Sequence, residues 1–358
     1  MARQYANLRL YQNEIFGALA NMIISQQVFA DNIKGTNSTL VDAARVDGSM
    51  YGDQKLYYAT DALKSAEWGN DAEAENLLAL HRPQAPEVQA IQLDVFRQIC
   101  LTVDDYMTKR AFADEGTFAS FNSVMKGWIG DTKKIYDATT YNAFVGTAET
   151  AVGEQTITVT LPKVEGNPEA EARLAGQTIA REMADLMVNL TDVSRDYNNY
   201  GFIRSYDKSD LMVVWNSAAL NEITTMDLPT IFHKEGLIEK MGEYVLPAKY
   251  FGEVNKGTGA GDDTTVRSLV EQEINGHHYF AGDIIKTGDT APAGKSYTQN
   301  DNILFKVLHK NSCPYMSAFE VGSSFFNPKS LTDTSFLTFG HNTLNYLKNY
   351  PLITVKKN

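Results

Sequence analysis

Gly257-Thr-Gly-Ala-Gly261 is the part of the sequence nearest to a phosphate-cradling loop. Such a loop needs glycines that let backbone N–H groups approach the anion, and a G-K-[ST] ending between a strand and a helix. Here the spacing is G-x-G-x-G, the ending is missing and the surroundings are rich in turn residues, so an exposed turn is the better reading. His277 and His278 are adjacent on a stretch with strand character, which sends their side chains to opposite faces and keeps them from sharing a metal ion. His81, His233, His309 and His341 are scattered. Neither G-x-S-x-G nor H-E-x-x-H occurs, and Cys313 has no recognisable nucleophile setting. Asp104-Asp105 and Asp262-Asp263 read as solvated acidic pairs. Glycoside hydrolysis would require carboxylates such as Asp262 and Asp283 to converge in a cleft about 5–9 Å apart. The expectation is a protein without catalytic, cofactor-binding or metal-binding residues.

The 358 residues suffice for one large or two modest domains with a sizeable core. With 32 Lys and Arg against 44 Asp and Glu the net charge is −12, and no basic stripe forms, which disfavours direct reading of nucleic acid. An acidic surface repels packed polyanion and suits a container better than a binder. Cys100 and Cys313 give neither a disulfide framework nor a zinc spacing, and both are expected to act as small apolar residues. No apolar run approaches the ~20 residues of a membrane span. The apolar patch Ile15 to Ile24 is flanked by Glu14 and interrupted by Asn21, a poor signal peptide, so synthesis inside the cell is expected.

The elements that position everything else lie between Tyr51 and Gly146. From Val88 to Asp104, Ile91, Leu93, Val95, Ile99, Leu101 and Val103 occupy odd positions, while Gln92, Asp94, Gln98, Thr102 and Asp104 occupy even ones. This is the period of a half-buried strand, and residues 91–104 at ~3.3 Å each span roughly 45 Å. Lys55 to Leu63 is its partner arm. A hairpin that long has too little core of its own and is predicted to lie on another copy of the chain. Its polar insert, Gly69 to Pro86, carries Leu77, Leu78 and Leu80, read as a contact surface or else as a small cluster beneath the tip. A helix is expected from about Thr117 to Phe144, with Phe118, Phe121, Val124, Met125, Trp128, Ile129, Ile135 and Tyr136 as a core stripe. Gly130 weakens it and Gly146 is placed to end it.

Residues 1–50 form an arm with a helix over about 10–27, whose face Ile15, Phe16, Leu19, Met22 and Ile23 packs on its own domain or reaches a neighbour. Gln155 to Leu161 alternates as a strand, and Asn167-Pro168 starts a helix running to about Val193, with Ile179, Met183, Leu186, Met187 and Leu190 on one face. Leu211 to Trp215 reads as a strand buried on both sides, and Asp227-Leu-Pro229 starts another short helix. Between 228 and 305 short segments alternate with glycine-rich turns. Ile303 to Leu308 and Tyr350 to Val355 are strand-like and return to the first body.

This order of elements resembles the Hong Kong 97-type major capsid protein of tailed bacteriophages. The resemblance is carried by Asp47-Gly-Ser-Met-Tyr-Gly-Asp-Gln-Lys-Leu-Tyr57, by the helix between Gly116 and Gly146, and by Tyr206 to Leu220, which is similar to the strand-then-helix of podophage capsid proteins. It implies an α+β fold with an N-terminal arm (1–50), an E-loop hairpin (51–105), a peripheral domain (106–227) with a spine helix (117–144), an axial domain (228–305) and a C-terminal return (306–358). It implies hexamers and pentamers forming an icosahedral head around double-stranded DNA touched without sequence preference, and no membrane. Leu77, Leu78, Leu80 and Arg82 at the E-loop tip then become inter-subunit contacts. Only about 50 residues precede the E-loop, so a separate scaffolding protein is expected, with a portal, assembly in the host cytoplasm and residence in the virion. An encapsulin-type nanocompartment shares the fold, and a carbohydrate-active enzyme is the reading from another class.

Overall fold

The computed structural model describes residues 39–48, 53–65, 80, 82–104, 115–150, 155–224 and 242–358. In chain order these form helix α1 (Thr39–Ala43), strands β1 (Arg45–Asp47), β2 (Gln54–Ala59) and β3 (Glu87–Asp104), and helix α2 (Glu115–Thr147). Next come β4 (Thr156–Val159), α3 (Pro168–Thr191), β5 (Leu211–Asn216), α4 (Ser217–Thr224) and β6 (Gly242–Leu246). Seven short strands follow: β7 (Gly252–Val254), β8 (Gly259–Ala260), β9 (Val266–Ser268), β10 (Gln272–Ile274), β11 (His277–Tyr279), β12 (Thr290–Ala291) and β13 (Ser296–Gln299). The chain closes with β14 (Ile303–His309), β15 (Tyr315–Asn327), β16 (Thr332–Asn342) and β17 (Leu352–Lys357). The expected helices at 10–27 and 227–229 lie outside the described residues, as do Leu77 and Leu78.

The first sheet has the order β1-β15-β16-β3-β2. Its long strand β3 shows the expected alternation, with residues 92, 94, 98, 100 and 102 exposed and the odd positions between them buried or half-buried. The partner arm is where the pattern placed it, Gln54 to Ala59 opposite Gln92 to Glu87. The expected need for a foreign surface along the whole arm is corrected. From Leu93 to Asp104 the strand pairs with Asn342 to Thr332 of its own chain. A period-2 pattern reports a half-buried strand but not its partner, and this one lies more than 200 residues away.

Helix α2 crosses this sheet and is longer than expected, 33 residues or about 50 Å. Met125, Ile129 and Tyr136 are buried on one side of it, and Tyr141 and Val145 on the opposite side of its last turns. Trp128 is not in the core as expected but 47% exposed. Gly146 is not a terminator; it lies within the last turn, where a Cβ would collide with the carbonyl oxygen of Tyr250. The side chains of Phe118 and Phe121 lie outside the described set.

The second sheet has the order β4-β17-β14-β5-β6. Its strands are apolar on both faces because each face has a core. Met212 and Val214 of β5 enter a cluster with Tyr141, Val145 and Leu308, whereas Leu211, Val213 and Trp215 enter one with Ile179, Met183, Leu186 and Leu190 of α3. Helix α3 starts as its sequence dictates: Asn167 Oδ1 accepts from the Ala170 N–H at 3.1 Å, and Pro168 fills the first helical position. Strand β6 pairs in parallel with β5, so residues 242–246 belong to this sheet. Only after them does the chain enter the glycine-turned insert, built of the small sheets β7-β13-β9, β10-β11 and β8-β12. Cys313 is buried as expected, but Cys100 is exposed, because its even position falls on the solvent side of β3.

A candidate assembly interface

The β2–β3 hairpin has two unlike faces. Tyr57, Ile91 and Leu93 turn inward and pack with Met316 and Leu347. Leu56, Tyr58 and Val88 turn outward; Tyr58 lies opposite Val88 in register and is 64% exposed. Strand geometry forces this division, since alternate residues must leave opposite faces. Beyond the strands, Leu63 and Leu80 are exposed, Leu80 by 82%, and Arg82 is exposed as well. An exposed apolar face of this kind marks a contact surface.

The end of the hairpin nearest its connecting loop is held by its own chain. Asp61 accepts from the Ile203 N–H at 3.0 Å and from Arg195 at 2.8 Å. The Ile203 N–H, then the Arg195 guanidinium, hold the Asp61 carboxyl down at about 2. Arg204 donates to the Thr60 carbonyl at 2.6 Å. Gln89 donates to the Tyr346 carbonyl and accepts from the Lys348 N–H, at 2.9 and 3.0 Å. The hairpin is therefore fixed in direction while Leu56, Tyr58 and Val88 on its outer face stay exposed.

A second apolar extremity is the β15–β16 tip, where Val321, Phe325, Phe326 and Leu331 are exposed, Phe325 by 61%. Among the described residues, strand β1 covers the outer edge of β15 from Tyr315 to Ser317. Past that point β15 pairs with β16 alone among the described residues. An open strand edge flanked by phenylalanines presents unpaired backbone groups and apolar area together.

Between these extremities a buried polar cluster ties helix α2 to the first sheet. Asp137 accepts from the Tyr315 hydroxyl at 2.7 Å and from Lys133 at 3.0 Å, with Arg45 at 3.7 Å. Tyr315 lies in the core, and burial, then the Asp137 charge, push its hydroxyl far above the ordinary tyrosine value. His341 Nδ1 donates to the Asn342 carbonyl at 2.7 Å, which leaves Nε2 to accept from the Tyr136 hydroxyl at 2.7 Å. Burial lowers the His341 pKa, in keeping with this neutral ring. Lys133 and Asp137 are four apart on one helix, but the pairings of Asp137 with Tyr315 and of Tyr136 with His341 carried no signal in the sequence, where the partners stand 178 and 205 positions apart.

The residues singled out for chemistry are engaged in structure. His277 meets Asp289 at 3.0 Å and His278 meets Glu271 at 2.8 Å, on opposite faces of β11. Asp262 accepts from the N–H groups of Thr264, Thr265 and Val266, and Asp283 from that of Phe280. Among the described residues no three His, Cys, Asp or Glu gather as a metal group.

Three solved structures share this arrangement. A chain in the capsid structure of Staphylococcus phage Andhra is 10% identical, covers 99% of this chain and 90% of its own, and gives a TM-score of 0.63. A chain from the structure of the head fibre and inner core protein of bacteriophage P68 is 10% identical over 99% and 90%, with a TM-score of 0.60. The capsid of cyanophage P-SCSP1u gives 8%, 93%, 91% and 0.52. At such identities the likeness concerns the fold, a mixed α+β capsid fold. No curated protein matches the sequence. The sequence itself fits the model of the Phi29-like phage major capsid protein from residue 2 to residue 353, and with that extent of agreement the chain belongs to that family.

Proposed function

We propose that this shell subunit assembles into hexamers and pentamers of an icosahedral head that encloses double-stranded DNA, with the outer face of the E-loop hairpin (51–105) of each copy docking on a neighbour. In this reading residues 1–50 are the N-terminal arm, 106–227 the peripheral domain with the spine helix, 228–305 the axial domain apart from 242–246, which join the peripheral sheet, and 306–358 the return. The observation that carries it is the outward face of the hairpin: Leu56, Tyr58 and Val88 lie exposed on an arm whose inner face and loop-ward end are held on its own chain by Asp61 and Gln89. A fixed arm with an apolar outer face needs a docking surface, and a copy of the same chain supplies one at every position in a shell. Leu80 and Arg82, with Leu77 and Leu78, are proposed as contacts at its tip. A separate scaffolding protein and a portal complete the assembly in the host cytoplasm, and the protein acts as a structural component without enzymatic turnover.

The test is deletion of Gly69 to Pro86, followed by electron microscopy with and without co-expressed neighbouring genes. The expected product is a folded, unassembled subunit. Normal shells from the deletion would refute the E-loop role, and shells of the full-length chain that carry enzyme cargo in place of DNA would favour a nanocompartment.

A further inference from the structure

Lys306 is fully buried on β14, with Val214 of β5 and Thr354 of β17 as its register neighbours. Its Nζ donates to the carbonyl of Ala148, the residue after the end of α2, at 2.7 Å. No ion pair joins it among the described residues. The nearest carboxylate in sequence to that carbonyl, Glu149, is held by Lys356 at 2.6 Å, and Lys356 also meets Glu253 at 3.2 Å. The end of the helix is otherwise fastened by the Tyr141 hydroxyl, which donates to the Cys313 carbonyl at 2.7 Å, and by Gly146 pressed on Tyr250.

We propose that Lys306 makes the contact between the C-terminal end of α2 and the second sheet a proton-linked joint: it opens with uptake of one proton on Nζ and closes with its release. An ammonium buried on a single carbonyl lacks the compensation that water or a carboxylate gives it. The charged or titratable groups around it are Glu149 from the helix end, Lys356 from β17 and Cys313 after β14, while β5 offers Val214 in register. Cys313, its own thiol pushed up to about 12 by burial, supplies no anion near neutrality. Burial therefore dominates over Glu149 and holds Lys306 down at about 7. Once hydrated in the opened joint, the same amine returns to about 10.4.

The sign follows from linkage. Between those two values the opened state binds the extra proton, so each unit rise in pH disfavours opening by up to about tenfold. Below about 7 both states are protonated and the dependence flattens. Hydrogen exchange of the full-length, unassembled subunit between pH 6 and 9.5, corrected for intrinsic exchange, reads this directly. The Ala148 amide, which donates to Phe144 O at 2.8 Å, is the reporter. Its protection should be flat below pH 7 and then rise by about tenfold per unit. In Lys306→Met it should stay flat throughout. Equal slopes in the two proteins, or no rise in the wild type, would overturn the proposal. Should Lys306→Met fail to fold, lysine-selective NMR of the wild type decides. One resonance titrating near 7 supports the joint, and all lysines titrating near 10 overturns it.

Discussion

Replacing Asp137 with alanine tests whether the polar cluster beneath α2 holds the helix on the first sheet. Asp137 is 4% exposed and accepts from Tyr315 and Lys133 at 2.7 and 3.0 Å. Removing the carboxylate strands the Tyr315 hydroxyl in the core, which costs about 1–3 kcal/mol. It also leaves Lys133 with only Glu320, 3.6 Å away and mostly exposed, so the ammonium loses its buried partner. Breaking a buried pair costs about 3–5 kcal/mol. Because Lys133 retains Glu320 and some solvent, the lower part of that range applies, and the total is about 4 kcal/mol. Unfolding entropy is ~2.1 cal/mol/K per residue, or about 0.75 kcal/mol/K for this chain, so the melting temperature should fall by about 5 °C. Differential scanning calorimetry of the unassembled subunit measures it. Tyr315→Phe removes one of the same bonds, and a double-mutant cycle should show coupling of about 1–2 kcal/mol. A melting temperature within 1 °C of wild type, or strict additivity, would refute the reasoning.

Other perturbations separate folding from assembly. Leu56→Ser with Tyr58→Ser should leave stability within about 1 kcal/mol, since both side chains face solvent in the subunit, yet abolish shells in the electron microscope. Shells at normal yield would show that the outer face of the hairpin touches nothing. Gly146→Ala should lower stability by about 1–3 kcal/mol through overpacking against Tyr250, read from denaturant midpoints; an unchanged midpoint would deny the close approach. Lys306→Met should raise stability at pH 7, because the native state no longer holds an amine down at about 7. The folded pKa lies below the unfolded one, so wild-type stability rises between pH 7 and about 10 and the advantage of the variant shrinks over the same range. Parallel stability curves for the two proteins would contradict it.

What the sequence disclosed was what depends on near neighbours. The alternation of β3, the apolar run of β5 and the Asn167-Pro168 start of α3 are local signals, and each reappears where its pattern put it. The stripe of α2 was legible for Met125 and Ile129 but not for Trp128, which shares their spacing and yet lies 47% exposed. Periodicity defines an arc of a helix, and a residue at the margin of that arc is covered only if the packed element extends that far. The buried polar contacts of Asp137, His341 and Lys306 were illegible for a different reason. Their partners are supplied by elements distant in sequence, and a lone lysine inside Ile303-Leu-Phe-Lys-Val-Leu308 reads as a strand residue with an exposed head. Leu80 and Arg82 fall between these cases: both could be named as surface, and both are exposed.

Helix α2 is one uninterrupted element attached to two different bodies. Its middle is fixed to the first sheet by Tyr136 on His341 and by Asp137 on Tyr315. Its last turns are fixed to the second sheet and insert by Tyr141 on Cys313, Gly146 on Tyr250 and Lys306 on Ala148. The two sheets share no strand, so a change in their relative orientation has to bend the helix or release one set of contacts. Bending works against an unbroken run of i→i−4 bonds, with no proline inside the helix to relieve it. Releasing the middle strands a buried carboxylate and two buried hydroxyls. Releasing the end hydrates one amine that burial already disfavours in its charged form. The end contacts are therefore the weaker set at neutral pH, and the joint between helix end and second sheet is where the subunit yields first.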